Sequence, residues 1–150
     1  MSEAGETELA AAVLTIMRLA RALERVDSGL TPQQYRILKF AGAGGERSAR
    51  LARRLTVAKP TLTTTADGLV SAGLLQREAE AGDRRVVRLC LTKAGEAALR
   101  RADSAYAEWL AGLLGAAGPA EPLLMALDRL DAALDAAFAT ERAEATAAVR

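Results

Sequence analysis

Apolar residues recur along this chain with a helical period at both ends and a strand period in between, and the switch outlines the architecture. Over residues 7–26, Leu9, Val13, Ile16, Ala20 and Leu23 are spaced by three or four, which lines them up on one side of an amphipathic helix. A second helix is predicted from Thr31-Pro32-Gln33-Gln34: a hydroxyl to cap it, a proline at the first helical position, and a glutamine three residues after the cap that can reach back. It runs to about Phe40 with Tyr35, Leu38 and Ala41 facing inward. The glycines around residues 42–45 then end it, because clustered glycines lose too much backbone entropy in a helix.

Ser48 is expected to cap a short third helix over residues 49–55, with Leu51, Ala52 and Leu55 inward and Arg50, Arg53 and Arg54 outward. Pro60 suits the first turn of the next helix, on which Leu62, Ala66, Leu69 and Gly73 share the buried face. Two short helices joined by a tight turn are the helix-turn-helix arrangement. After Gly73 the period changes. Residues 74–77 and 86–91 read as strands flanking the turn residues Ala81-Gly82-Asp83, with Val87, Leu89 and Leu91 on a buried face and Arg88 and Cys90 on a wet one. Thr92 caps a long helix carrying Leu99, Ala102, Tyr106, Trp109 and Leu113. A break follows over residues 115–119, and a last helix repeats Leu123, Leu127, Leu130, Leu134 and Ala137. The predicted fold is mainly α with a small β-hairpin: a winged helix-turn-helix over residues 31–93, flanked by an N-terminal helix over 1–30 and by a connecting helix plus C-terminal helix over 94–150, whose apolar stripes can either pack within one monomer or join two copies.

Composition narrows the chemistry. No apolar run approaches the roughly 18 residues of a membrane span, and the acidic start lacks the pattern of a secretory signal. A cytoplasmic protein without a membrane partner is expected. The chain has no histidine and one cysteine, Cys90. The commonest metal ligand and general base are therefore missing, and no internal disulfide can form. With no glycine-rich phosphate loop and no placed nucleophile and base, neither an enzyme nor a metal or cofactor site is expected. Cys90, beside Arg88, reads as a structural thiol, with a redox switch as the alternative if neighbouring arginines lower its pKa.

Charge then picks out one segment. The net charge is +1, but residues 47–93 hold ten Lys or Arg against four acids, which gives +6 there and leaves −5 on the flanks. A basic centre between acidic ends suits a module that faces a polyanion. An α-helix fits the major groove of DNA, so its N-terminal residues can reach base edges. Here those are Lys59, Pro60, Thr61, Thr63 and Thr64, with Arg50 on the preceding helix. At the wing tip Arg84 and Arg85 can enter the electronegative minor groove. Asp67 is the one acid on the reading helix and needs a cationic partner, either Arg77 or Arg85. The alternative function is a winged helix that contacts proteins without touching DNA.

Thr61-Leu62-Thr63, Asp67-Gly68-Leu69, Ala72-Gly73-Leu74, Arg77, Asp83-Arg84-Arg85 and Leu91-Thr92-Lys93-Ala94-Gly95 together resemble the multiple antibiotic resistance regulators, the MarR family, from roughly Thr31 to Gly95. The resemblance implies a homodimer, six helices with a winged hairpin, and transcriptional repression relieved by a small-molecule effector. It also implies that Asp83 orients the wing and that Arg85 enters the minor groove, with Arg84 as the alternative. Thr64 and Gly68 depart from it, since many members carry arginine there. The grip on DNA then shifts to Lys59, Arg50, Arg53, Arg54 and the wing. Dimerisation through the terminal helices sets two reading helices one DNA turn apart and implies a pseudo-palindromic operator. A ligand cleft between those helices and the DNA-binding lobe falls near Arg18, Arg21, Tyr35, Tyr106 and Trp109, where the same aromatic spacing also fits plain core filling.

Overall fold

The computed structural model describes the backbone of residues 3–42, 45–80 and 83–147 and the side chains of residues 5–42, 45–80 and 86–140. Six helices and three strands follow in the order α1 (Glu3–Leu23), α2 (Pro32–Ala41), β1 (Glu46–Arg47), α3 (Ser48–Leu55), α4 (Lys59–Ser71), β2 (Leu75–Glu80), β3 (Asp83–Leu91), α5 (Lys93–Ala117) and α6 (Ala120–Ala147). The chain forms two compact units, Met1–Ala107 and Glu108–Arg150. No single helix among the described residues is long and apolar enough to cross a membrane.

The core of the first unit lies where α2, α3 and α4 meet the sheet. Ile37, Leu38, Leu51, Leu62, Leu69, Leu75 and Leu89 are its fully buried large side chains, with Ala41, Ala52, Leu55 and Ala66 closing the gaps. Burying each such leucine or isoleucine is worth about 1.5–3 kcal/mol, so this cluster fixes how α4 is presented. Ile37 joins Leu38 and Ala41 as the inner face of α2, while Tyr35 is only half-buried.

Local chemistry sets the helix ends. At α2 the capping box forms as expected: Gln34 N–H donates to Thr31 Oγ1 at 3.2 Å and Thr31 N–H donates to Gln34 Oε1 at 2.9 Å. At α3 the expectation fails. Arg47 occupies the cap position, Ser48 is the first helical residue, and no side chain caps the helix. The cause is strand pairing: Arg47 lies opposite Arg88 and Glu46 opposite Leu89, so the chain enters α3 directly from a strand. Gly73 likewise leaves the buried face of α4. The helix ends at Ser71, and Gly73 turns the chain with a φ of +70° while Leu74 N–H closes on Leu69 O at 2.9 Å.

The sheet is antiparallel in the order β1-β3-β2, with Leu75 opposite Leu91, Arg77 opposite Leu89 and Ala79 opposite Val87, and with a bulge at Ala79/Glu80. Two positions on β3 depart from simple alternation. Cys90 is buried and Val87 is exposed. β1 lies along β3 and brings Gly45 against Cys90. A Cβ on Gly45 would overlap Cys90 Sγ and stand 3.3 Å from Leu89 O, so the missing side chain makes room for the thiol.

α5 starts at a tight joint. Thr92 Oγ1 accepts from Gly95 N–H at 3.0 Å and donates to Gly73 O at 2.6 Å, while Thr92 N–H donates to Leu74 O at 3.2 Å. Thr92 therefore caps α5 and ties it to the junction between α4 and β2. Gly95 is buried there because α5 passes directly over the Leu74 peptide: a Cβ on Gly95 would overlap Leu74 O and stand 2.9 Å from Leu74 C. The Leu-Thr-x-x-Gly pattern thus has a structural cause.

Candidate nucleic-acid interface

α4 carries the surface expected to read DNA. Leu62, Ala66 and Leu69 hold its inner face on the core, which leaves Pro60, Thr61, Thr63, Thr64, Asp67, Gly68 and Ser71 exposed. Lys59 is the first residue of the helix, where the positive end of the helix dipole and a free ammonium both favour a phosphate. The threonines are ordered. Thr63 Oγ1 donates to Lys59 O at 2.9 Å, Thr64 Oγ1 to Pro60 O at 3.1 Å, and Thr65 Oγ1 to Thr61 O at 3.0 Å.

Asp67 pairs with Arg77, whose Nη2 donates to Asp67 Oδ1. This contact joins the exposed side of α4 to β2 and neutralises the one acid on the reading helix. Around it lies a further set of cations. Arg50 is exposed on α3, 3.5 Å from Glu46, and Arg53 is exposed beside it. Arg54 lies 4.3 Å from the centre of the Phe40 ring. Arg36 Nη2 donates to Leu55 O at 3.0 Å and so satisfies the carboxyl end of α3.

A second ion cluster, on the wing, escaped the sequence reading. Arg47 Nη2 donates to Glu80 Oε1 at 2.6 Å, Arg88 Nη1 lies 4.0 Å from the same oxygen, and Arg88 Nη2 donates to Gly45 O at 2.8 Å. The Arg47 hydrogen bond, with help from Arg88, holds the Glu80 carboxyl below the ordinary glutamate range despite partial desolvation. All three strands are stitched at this point. With Arg77, three of the ten basic residues of the central segment therefore face an acid of the same module. On the same face of β3, burial and then the Glu78 carboxylate push the Cys90 thiol up, outweighing Arg88. The arginine activation of this thiol entertained from the sequence is thus present but outweighed.

The backbone of Asp83, Arg84 and Arg85 belongs to β3, with Glu80 opposite Asp83. The side chains of these three residues, and with them the expected wing contacts, lie outside the described residues.

The residues expected near a ligand cleft are distributed over α1, α2 and α5. Arg18 is exposed on α1, Arg21 pairs with Glu24 on the same segment, and Trp109 belongs to the second unit. Tyr35 and Tyr106 do come together, with ring centres 4.8 Å apart and planes tilted by 56°. Tyr35 Oη donates to Asp103 Oδ1 at 2.8 Å, and Lys39 Nζ donates to the same oxygen at 2.7 Å. Burial first, then the Asp103 hydrogen bond and charge, push the Tyr35 phenol up to about 12. Burial pushes the Asp103 carboxyl up, but Lys39 and Tyr35 outweigh it and hold Asp103 below its ordinary range. Lys39 and Asp103 were missed from the sequence because 64 residues separate them.

Residues 28–86, the segment that contains α2 to α4 and most of the wing, match the MarR family. No curated sequence matches the chain. Among solved structures, the transcriptional regulator BldR from Sulfolobus solfataricus shares the fold, with a TM-score of 0.72, 23% identity, and coverage of 88% of this chain and 99% of that one. PcaV, a transcriptional regulator from Streptomyces coelicolor in complex with its natural ligand, aligns at 25% identity and a TM-score of 0.65 over 86% of this chain and 91% of that one. NadR in complex with 4-hydroxyphenylacetate aligns at 27% identity and a TM-score of 0.64, covering 85% and 89%. The winged-helix segment, residues 28–86, thus matches the MarR family, and the fold is shared with these transcriptional regulators, which supports a DNA-binding regulator.

Proposed function

We propose that the protein is a ligand-relieved repressor that acts as a homodimer on a pseudo-palindromic operator. The observation that carries this reading is the uncovered apolar side of α1: Leu9, Val13, Leu14, Ile16 and Met17 are 54–63% exposed on a 21-residue helix. A monomer gains nothing from such a surface, whereas a second copy can bury it. In the second unit, Leu123, Leu124, Met125, Leu127, Leu130 and Leu134 of α6 are similarly exposed. Two copies joined this way present two α4 helices to successive major grooves, with Lys59, Arg50, Arg53 and Arg54 on phosphates and Thr61, Thr63 and Thr64 on base edges. Arg85, or Arg84, inserts into the minor groove, Asp83 orients the wing, and the Asp67–Arg77 pair ties it to the reading helix. Ligand relief is supported by PcaV and NadR, each of which has been seen with a small molecule bound.

The test is a titration of the full chain with duplexes carrying one or two half-sites at two salt concentrations, with mass measured in parallel. A dimer that needs both half-sites and loses affinity steeply with salt supports the proposal. Binding that ignores the second half-site refutes the dimeric operator, and no binding at low salt points to a protein-contact module instead. Arg85→Ala should weaken binding with mass and thermal stability unchanged; an unaltered affinity would remove Arg85 from the minor groove.

A further inference from the structure

We infer that the reading helix selects A·T pairs by their thymine methyl groups and adenine amines in the major groove, and that Thr64 is the residue that does it. The inference rests on the DNA-binding reading and adds what that reading leaves open, the class of base edge recognised.

It starts from which side chains the outer face of α4 presents. Leu62, Ala66 and Leu69 define the inner side. At 100° per residue, Pro60, Thr64, Asp67, Gly68 and Ser71 lie opposite them, with Thr61 at the margin. None of these can make the two-pronged contacts by which arginine or lysine reads guanine and asparagine or glutamine reads adenine. Asp67, the one charged residue among them, is engaged by Arg77. Gly68 has open space where a Cβ would stand, so nothing there holds the helix axis away from the groove floor.

The hydrogen bonds then decide what the threonines can offer. Thr64 spends its proton on Pro60 O, as Thr63 does on Lys59 O and Thr65 on Thr61 O. A hydroxyl folded back in this way shows its surroundings an oxygen lone pair and a methyl group. Guanine presents two acceptors in the major groove, N7 and O6, and a lone pair gains nothing against either. Cytosine offers an amine but no methyl. An A·T pair offers both complements at once, the adenine N6 amine as donor and the thymine C5 methyl as apolar surface. With no long polar side chain to override it, this short, methyl-bearing face favours A·T steps under the N-terminal half of α4.

The experiment selects duplexes from a random pool with the full-length protein, then replaces each thymine of the enriched half-site by deoxyuridine. That change deletes a methyl group from the major groove and leaves the minor groove, where the wing would act, untouched. The expected result is a loss of about fourfold per contacted methyl, the change that burial of one CH2-sized group brings, at one to three neighbouring positions. Thr64→Ser, which loses the methyl and keeps the hydroxyl, should abolish the thymine-to-uracil ratio at one of them. Thr64→Val, which keeps the methyl, should retain it. The Thr64 side chain is exposed, and thermal unfolding checks that the variants fold. Equal binding of thymine and uracil at every position overturns the inference, as does an enriched core of G·C pairs. So do ratios that survive Thr64→Ser. If no duplex is enriched at low salt, the DNA-binding reading itself falls and takes the inference with it.

Discussion

Replacing Gly95 by alanine isolates the joint between α5 and the junction of α4 with β2. Helix propensity alone favours the change by about 1 kcal/mol, since glycine is the weakest ordinary helix former. The structure predicts the opposite sign. A new Cβ would overlap Leu74 O and stand 2.9 Å from Leu74 C and 3.3 Å from Leu74 Cα, all backbone atoms that cannot rotate aside. Leu74 is also held in place: its neighbour Leu75 is in the core, its N–H is bonded to Leu69 O, and its carbonyl accepts from Thr92. Relief therefore means moving α5 outward and breaking the Thr92 N–H to Leu74 O and Thr92 Oγ1 to Gly73 O bonds. Two hydrogen bonds are worth about 1 kcal/mol each and residual crowding about 1–3 kcal/mol. Less the propensity gain, Gly95→Ala costs about 2–4 kcal/mol. With a urea slope of about 2 kcal/mol/M, the unfolding midpoint falls by about 1–2 M, measured at fixed protein concentration because an assembling protein's stability depends on it. Gly68→Ala is the control, as a Cβ there meets open space. It should raise stability by up to about 1 kcal/mol. A Gly95→Ala protein as stable as the parent, or equal shifts in the two variants, refutes the reasoning.

Three further outcomes can be checked. Arg77→Ala removes an exposed ion pair and should cost less than about 1 kcal/mol of stability, yet it leaves Asp67 unpaired near phosphates; anisotropy should show weakened DNA binding that Asp67→Asn in the same chain restores. The Tyr35–Asp103–Lys39 cluster makes stability pH-dependent at both extremes. Tyr35 has its folded pKa raised to about 12 from 10.0, so its contribution is complete below pH 10.0 and disappears as pH climbs through about 12. Asp103 is lowered from 3.8, so its contribution is present above pH 3.8 and disappears as pH falls through the lower folded value. Denaturant titrations should show Tyr35→Phe flattening the alkaline limb and Asp103→Asn the acid limb, and unchanged slopes would mean the cluster is not formed in solution. Finally, Ile16→Glu on the exposed side of α1 should lower the mass in sedimentation from dimer to monomer without unfolding the winged helix; an unchanged mass removes α1 from the interface.

Features written in neighbouring residues were legible in the sequence. The capping box at Thr31, Pro60 in the first turn of α4 and Thr92 at the start of α5 each work through a hydrogen bond or ring within four positions of themselves. Asp67 and Arg77 are ten positions apart, and the need of an isolated acid for a cation was enough to name Arg77 as one of two candidates. Features that required a distant element were not legible. β1 has two residues and no period of its own; it exists because β3 offers an open edge. Its arrival buries Cys90, which alternation alone had placed in water, and takes the cap position of α3 from Ser48. Glu80 gathers Arg47 from 33 positions away, and Asp103 meets Tyr35 from 68. Counting charge along the chain located the basic module but overstated how much of it stands free.

The ion pair between Asp67 and Arg77 has a consequence for how this protein can change. It leaves α4 beyond Lys59 with little net charge on its exposed side, while the cations proposed to attract DNA belong to α3, the start of α4 and the wing. On the proposed reading, attraction and selection are carried by different residues. Threonines on the outer side of α4 can be exchanged one at a time, altering which operator is preferred, while the pull toward any duplex and the core beneath the helix stay as they were. A lineage built on this arrangement can move to a new promoter through intermediates that still bind DNA.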